Sequence, residues 1–478
     1  MTARGHLVNF VLFSFFFGCF HGPIKASAAY LSTFFPHALA AATNATFYAT
    51  WTTCTLLITA LVTHRLGTKR SLILGSACAT AYLLLVLAAV ADGPHGALAS
   101  TLLPIAGVLQ GFASGVMWTA QGAYFARAAR LYSRARAAEH NPLSLAEAGA
   151  WFATVFAAIY LQVEVLSRAG AATFVLAGER VADVDHVFGT YVFLLAILLL
   201  SNALSFVIVD VDALAAADEA PASVATGTTS QIITEKPPAP LKVRIDTKSP
   251  HAPDAAASEM AGGAGETPPL TIGSAALSSL RLLVTDARVL LLGFFSMAKG
   301  FSEALLVDFV NADVIVPSLG AAGVGYVGGC AVLLASLISI GLPAVTRTCG
   351  RSWAMQAGNL GFLLLGAAHP IALTFARGSL EDELRLPGAA VLSAVLYSGY
   401  ALGRAVFDST NRYVAAALFP AQLEEIFALM RFSEGLAATV ALWICPCLDG
   451  APIDWMLIVA AGLAVPGYAA AEYLSRAR

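Results

Sequence analysis

The sequence predicts an all-α integral membrane protein with twelve transmembrane helices in two six-helix bundles. Three observations lead there. The 478 residues are 58% hydrophobic and 12% charged, with a mean hydropathy of +0.75; soluble domains carry about 45–50% apolar and roughly 25% charged residues. Apolar runs of membrane-crossing length recur along the chain. They fall into two sets of six, separated by a long polar segment.

A hydrocarbon core about 30 Å thick needs roughly 20 apolar residues as helix. Runs of that kind are 7–30, 43–63, 70–91, 98–124, 147–167 and 187–209, then 287–310, 320–343, 353–376, 387–413, 424–446 and 453–472. The first 30 residues lack the short apolar stretch and small-residue cleavage site of a signal peptide, so the run from Leu7 is read as a retained first helix. Residues 211–270 are rich in Ala, Pro, Ser, Thr and Gly, with no apolar periodicity. Such a composition buries too little apolar surface to offset its ordering entropy. The expected organisation is therefore an N-terminal bundle over 1–210, a disordered linker over 211–286 and a C-terminal bundle over 287–478.

Basic residues gather on one side. They are Arg65, Lys69 and Arg70 after the second run, Arg127, Arg130, Arg134 and Arg136 after the fourth, and Lys236, Lys242, Arg244 and Lys248 in the linker. Arg347 and Arg351 follow the eighth run, and Arg476 and Arg478 close the tail. The opposite connections hold Asp92, Asp313, Glu381, Asp382, Glu383 and Asp449. Lys and Arg accumulate on the cytoplasmic side, so both termini and the linker are expected there, in a plasma or internal membrane. Asn44-Ala45-Thr46 is a glycosylation acceptor triplet on the expected outer side.

Net charge is −3, which gives no reason to expect nucleic acid as a partner. The seven cysteines show no metal-ligand spacing. Cys54 and Cys78 sit in apolar runs, and Cys445 and Cys447 flank Pro446; these are read as buried thiols or as a redox pair. No phosphate loop, nucleophile elbow or His/Cys cluster is present in the sequence, so neither an enzyme nor a cofactor is expected.

Three segments carry a resemblance: Thr63–Gly75 (THRLGTKRSLILG), Gly107–Ala129 (GVLQGFASGVMWTAQGAYFARAA) and Leu418–Ala437 (LFPAQLEEIFALMRFSEGLA). The chain resembles the uncoordinated-ninety-three-like, or ion-channel-regulatory, family, a branch of the major facilitator superfamily. Trp118, Gln121 and Tyr124 match its fourth helix, and Leu66, Gly67 and Lys69 its second connection. Glu424, Phe427, Ala428, Arg431 and Glu434 match its eleventh helix. Two positions depart from the pattern. His64 and Arg65 stand early in the second connection, where facilitators carry an acid, and Arg404 stands where the tenth helix usually has one. The resemblance implies the major facilitator fold. It implies either transport of a small solute or ion, or regulation and trafficking of a channel or receptor partner, as its best-known members do.

Charges within membrane helices are costly and usually face a bundle interior or cavity. Lys299 and Glu303, four apart, share a helix face and read either as a coupling site or as a neutralised structural pair. Asp308 is expected to be solvated near the outer end. Arg404, Asp408 and Asn411 form one stripe, lining a cavity or closing a salt bridge. Arg431 and Glu434 read as an architectural or gating pair. Lys25, after Pro23, lines the central path or snorkels to the interface. Trp118, Gln121 and Tyr124 contact a ligand or pack helices together. Small residues four apart, Gly111 with Gly115 and Gly325 with Gly329, allow close helix approach.

Overall fold

The computed structural model describes residues 1–180, 186–219, 272–377, 382–419, 422–444 and 452–476. Every regular element among them is helical. The first set comprises α1 (Ala3–Phe34), α2 (His37–Leu57), α3 (Thr59–Leu66), α4 (Thr68–Asp92), α5 (Ala97–Ala138), α6 (Leu145–Arg180), α7 (His186–Val207) and the short α8 (Val211–Glu219). The second comprises α9 (Ile272–Thr285), α10 (Ala287–Ala304), α11 (Val316–Cys349), α12 (Arg351–Arg377), α13 (Asp382–Val406), α14 (Arg412–Leu418), α15 (Leu423–Ile444) and α16 (Pro452–Arg476). Two π-helical stretches interrupt the second set, Leu305–Ile315 after α10 and Phe407–Asn411 between α13 and α14. Such stretches are rare and concentrate at functional sites.

Among the described residues, ten helical runs are long and apolar enough to cross a membrane, against the twelve expected. The difference lies at two places. Ala287–Cys349 counts once at 63 residues, yet Gly320 breaks it with φ 75° and ψ 173°, a backbone conformation that favours glycine. The α2 helix, rich in Thr and Ala, is not among the ten. Several helices also outrun the bilayer. At 42 residues, α5 is about 63 Å long, and its last turns carry the basic cluster from Arg127 to Arg136. The α6 helix begins with a reciprocal cap: Glu147 N–H donates to Ser144 Oγ at 3.3 Å, and Ser144 N–H donates to the Glu147 carboxylate at 3.0 Å.

The expected linker starts and ends as helix, in α8 and α9; its remainder, 220–271, lies outside the described residues, as do Cys445 and Cys447. Cys54 is a buried free thiol and Cys78 a half-buried one. The start of the linker is anchored. Thr68 N–H and Oγ1 donate to Asp212 at 2.7 and 2.9 Å, and Arg127 pairs with the same carboxylate at 2.6 Å. The acid lacking at His64 and Arg65 thus reaches the N-terminus of α4 from α8.

Within the first set α4 and α2 pack on α5, and α1 on α6 and α7; within the second α10 packs on α15 and α16, and α12 on α13 and α16. The two sets meet along α6 with α11 and α2 with α15. Gly325 allows the first of these contacts, since a Cβ there would come within 2.6 Å of the Arg168 carbonyl; Gly111 does the same for α5 on α2 within the first set, within 2.5 Å of the Phe47 carbonyl. The α1 helix is buried on nearly every face, and its Phe10, Phe13, Phe16, Phe17 and Phe20 form the core of the first set. Most of the buried charged residues lie where the two sets meet; Asp454, paired with His369 at 2.9 Å, lies within the second set.

Candidate functional site

Ten charged side chains, almost all buried, form one continuous network between the two sets, Arg412 of α14 joining it at 3.7 Å from Asp408. Glu303, 3% exposed, ends α10 beside the first π-helical stretch. It accepts from Lys25 Nζ of α1 at 2.7 Å, and also from Lys299 and from the Tyr400 hydroxyl. Lys299 lies 3.6 Å from Glu434 as well. Glu434 takes Arg431 Nη1 at 2.6 Å, and Arg431 Nη2 lies 3.8 Å from Asp408. The network then crosses to α6. Tyr160 donates to Asp408 Oδ2 at 2.5 Å, and Arg404 Nε lies 3.4 Å from the same oxygen. Arg404 also grips Glu164 with both terminal nitrogens, Nη1 at 2.9 Å and Nη2. Behind it, Arg168 donates to Glu164 at 2.9 Å, and His21 Nε2 lies 3.5 Å from the same carboxylate.

Local sequence sets part of this geometry. Lys299 and Glu303, Arg404 and Asp408, and Glu164 and Arg168 are i,i+4 pairs on one helix face. Gly300 supplies another part: a Cβ there would come within 2.1 Å of the Glu434 carbonyl oxygen, so only glycine lets α15 approach α10 this closely. The strongest contacts nevertheless bridge the two sets: Lys25 to Glu303, Glu164 to Arg404 and Tyr160 to Asp408. Each ion in such a setting needs a partner, because desolvating it costs several kcal/mol.

A small cavity opens in this network. The first set lines it with Lys25, Trp118, Tyr160 and His21, and the second with Lys299, Glu303, Arg404, Asp408, Arg431 and Glu434. Arg431 stacks on Trp118 with its guanidinium carbon 3.8 Å from the ring centroid. Lys25 therefore faces the centre and does not snorkel. Gln121 and Tyr124, on the same helix as Trp118, are buried away from the cavity lining. Tyr124 accepts from Asn9 at 2.6 Å and donates to the Val209 carbonyl, which makes it a packing residue. Asn411 is 1% exposed in the second π-helical stretch, outside the lining.

Two expectations at the outer end are corrected. Asp308 is fully buried, and Asn44 donates to its Oδ1 at 3.1 Å. Solvation does not describe Asp308, since the end of α1 and the start of α2 cover it; Ser32 and His37 contact the Val307 and Asp308 carbonyls at 3.1 and 3.3 Å. Asn44 is 1% exposed with its amide engaged, which leaves no room for a glycan on that nitrogen.

Sequence reasoning missed Glu164, Arg168, His21, Tyr160, Tyr400 and Arg412. The signal existed for three of them: Glu164 and Arg168 are four apart, with Arg168 just beyond the fifth apolar run, which closes at 167. Arg412 follows Asp408 by the same interval, beside Asn411.

Against solved structures, the chain is similar along its whole length to the xylose transporter XylE from E. coli in a partially occluded inward-open conformation, with a TM-score of 0.58, 12% identity, and 97% and 96% of the two chains covered. The fold is that of the major facilitator superfamily. Further facilitator-fold likenesses are to a bacterial homologue of the human drug peptide transporters (TM-score 0.55, 10% identity, 99% and 98% covered) and to the nucleoside transporter NupG (TM-score 0.52, 12% identity, 99% of each). No protein-family model matches the chain. Among curated proteins it is similar to Protein unc-93 homolog A of Mus musculus, 27% identical over 199 residues. That match supports the resemblance read from the three segments, and it spans 41% of each protein, less than half of either length.

Proposed function

We propose that this protein moves a small solute or ion across a membrane, with the charged cavity between its two sets of helices as the solute site. The observation that carries this reading is the pairing across the halves: Lys25 with Glu303 and Glu164 with Arg404 close around one cavity. In facilitator folds, solute sites lie at the interface of repeats near the bilayer midplane, and alternating access rocks one half against the other. Ion pairs that bridge the halves would have to break and reform in each cycle. On this reading the break at Gly320 and the addition of α2 bring the ten runs to twelve spans, α8 and α9 frame a linker between two bundles, and both termini are cytoplasmic. The chemistry is translocation, without catalysis.

A second reading is favoured by the unc-93 likeness: a protein that regulates or escorts a channel or receptor. Flux separates the two. Purified protein in liposomes should show gradient-driven uptake of some solute in a panel, abolished in Glu303→Gln while the variant remains folded. Unchanged flux in that variant would remove Glu303 from the mechanism. If well-folded protein carries no flux, co-purification of a membrane partner that survives Glu303→Gln would support the regulatory reading.

A further inference from the structure

The buried network does not balance. Six basic side chains take part, Lys25, Arg168, Lys299, Arg404, Arg412 and Arg431, against four acids, Glu164, Glu303, Asp408 and Glu434. Including Asp308 at the outer end still leaves one positive charge in excess. An unmatched charge inside a membrane protein is costly, and a buried ion pair is stable only when its remaining hydrogen-bonding positions are filled.

The unmatched charge can be located. Lys25, Lys299, Arg168 and Arg404 each donate to a carboxylate within hydrogen-bond distance. Arg431 does so through Nη1 alone, to Glu434 at 2.6 Å, and Arg412 has no carboxylate that close. Their Nη2 atoms stand 3.7 and 3.8 Å from a single oxygen, Asp408 Oδ1, beyond hydrogen-bond reach. Both Nη2 atoms are buried, and neither has a hydrogen-bond partner among the described residues. Both guanidiniums lie over Trp118, at 5.2 and 3.8 Å from its centroid. Beside them Asn411 is buried, with both amide atoms unpartnered among the described residues. A guanidinium presents a planar fork of N–H donors that matches the oxygens of a carboxylate or phosphate.

We infer that the cavity beside Trp118 is an oxyanion site, and that the solute carries a carboxylate or phosphate received by Arg431, which lines the cavity, together with Arg412, which lies outside the lining over the same Trp118 ring. Asp408 is the built-in competitor: it partly neutralises the two arginines while the site is empty. This inference rests on the solute-site reading of the cavity, and its test reads binding separately from flux.

The full chain, purified and monodisperse, is titrated with inorganic phosphate, succinate, glucose, uridine and choline at matched ionic strength. Thermal stabilisation and equilibrium binding are both read. Saturable binding of phosphate or succinate is expected, with none for choline. Arg431→Gln and Arg412→Gln should each weaken it about tenfold or more, the scale of one lost charge-assisted bond. Asp408→Asn should tighten it, an effect that mere loss of structure would not produce. Should Arg431→Gln fail to fold, Arg412→Gln and Asp408→Asn carry the test. Binding of glucose or uridine with no anion response beyond the salt control, or anion binding indifferent to all three substitutions, would overturn the inference. Anion binding without flux in liposomes would keep the site and sink the transport reading; flux of a neutral solute without anion binding would do the reverse.

Discussion

Glu303 and Asp308 are both buried acids, five residues apart on the same continuous helical run, yet their surroundings are opposite. Glu303 has two lysines and a tyrosine hydroxyl on its oxygens. Asp308 has one amide, from Asn44, on Oδ1, and Oδ2 has no hydrogen-bond partner among the described residues. Burial is the same, so the partners decide what each acid does. Glu303 is a strut that ties α1, α10 and α13 together. Asp308 closes the outer end through a neutral contact between α2 and the first π-helical stretch. Glu164, fully buried under two arginines, belongs with Glu303.

The contrast breaks first, if it breaks, at Glu164. Glu164→Gln leaves Arg404 and Arg168 facing an amide. Removing one partner of a buried pair costs about 3–5 kcal/mol, so loss of the monodisperse folded peak on size exclusion is expected. Adding Arg404→Gln should recover part of that loss, because the stranded charge goes with it; a double variant no better than the single would deny the pairing. Glu303→Gln should cost less, toward the lower end of the same range of about 3–5 kcal/mol. In each variant one cation keeps a second acid, Lys299 with Glu434 at 3.6 Å and Arg404 with Asp408 at 3.4 Å, but Glu164→Gln also breaks the two-nitrogen grip of Arg404, where Glu303→Gln breaks single lysine contacts. A thermal midpoint falling further in Glu303→Gln than in Glu164→Gln would invert this ranking.

Gly300→Ala probes the same strut through the backbone. The new methyl would meet the Glu434 carbonyl oxygen at 2.1 Å. Backbone cannot rotate away as a side chain can, so α10 and α15 must separate. Overpacking of this kind costs about 1–3 kcal/mol, and it carries Glu434 away from Lys299. Gly293→Ala is the control on the same helix, since its nearest neighbour there is the Ser433 hydroxyl at 3.5 Å. Equal melting shifts for the two variants would mean that the approach at Gly300 is not tight.

These partners were only half legible in the sequence. Helical spacing puts Lys299 on the face of Glu303 and Arg431 on the face of Glu434, because contacts three or four residues apart follow from helix geometry alone. Lys25 with Glu303 and Glu164 with Arg404 are 278 and 240 residues apart. No periodicity says which faces of different helices meet, so Lys25 looked as ready to snorkel as to pair. Helix class was legible because 20-residue apolar runs have one solution in a bilayer. The π-helical stretches were not, since an extra residue in a turn leaves no compositional trace. Asp308 was misread for that reason: its place near the end of an expected span suggested water, while the π-helical run of Leu305–Ile315 carries the helix on and α1 and α2 fold over it.

The smallest effect should come from Asp308→Asn. A carboxylate in this position has no basic partner among the described ion pairs, so the substitution strands no cation. The asparagine side chain is nearly the same shape, and its carbonyl oxygen can still accept from Asn44. A single neutral hydrogen bond is worth about 0.5–1.5 kcal/mol, and here it is kept, so the thermal midpoint should stay within a few degrees of the parent. Asp308→Ala would lose that bond and leave the Asn44 amide buried without its acceptor, at about 1–3 kcal/mol. The order Asn above Ala, both above Glu303→Gln, follows from counting stranded partners. Were Asp308→Asn as damaging as Glu303→Gln, a cation must reach Asp308 in the folded protein, and the division between strut and neutral closure would fall.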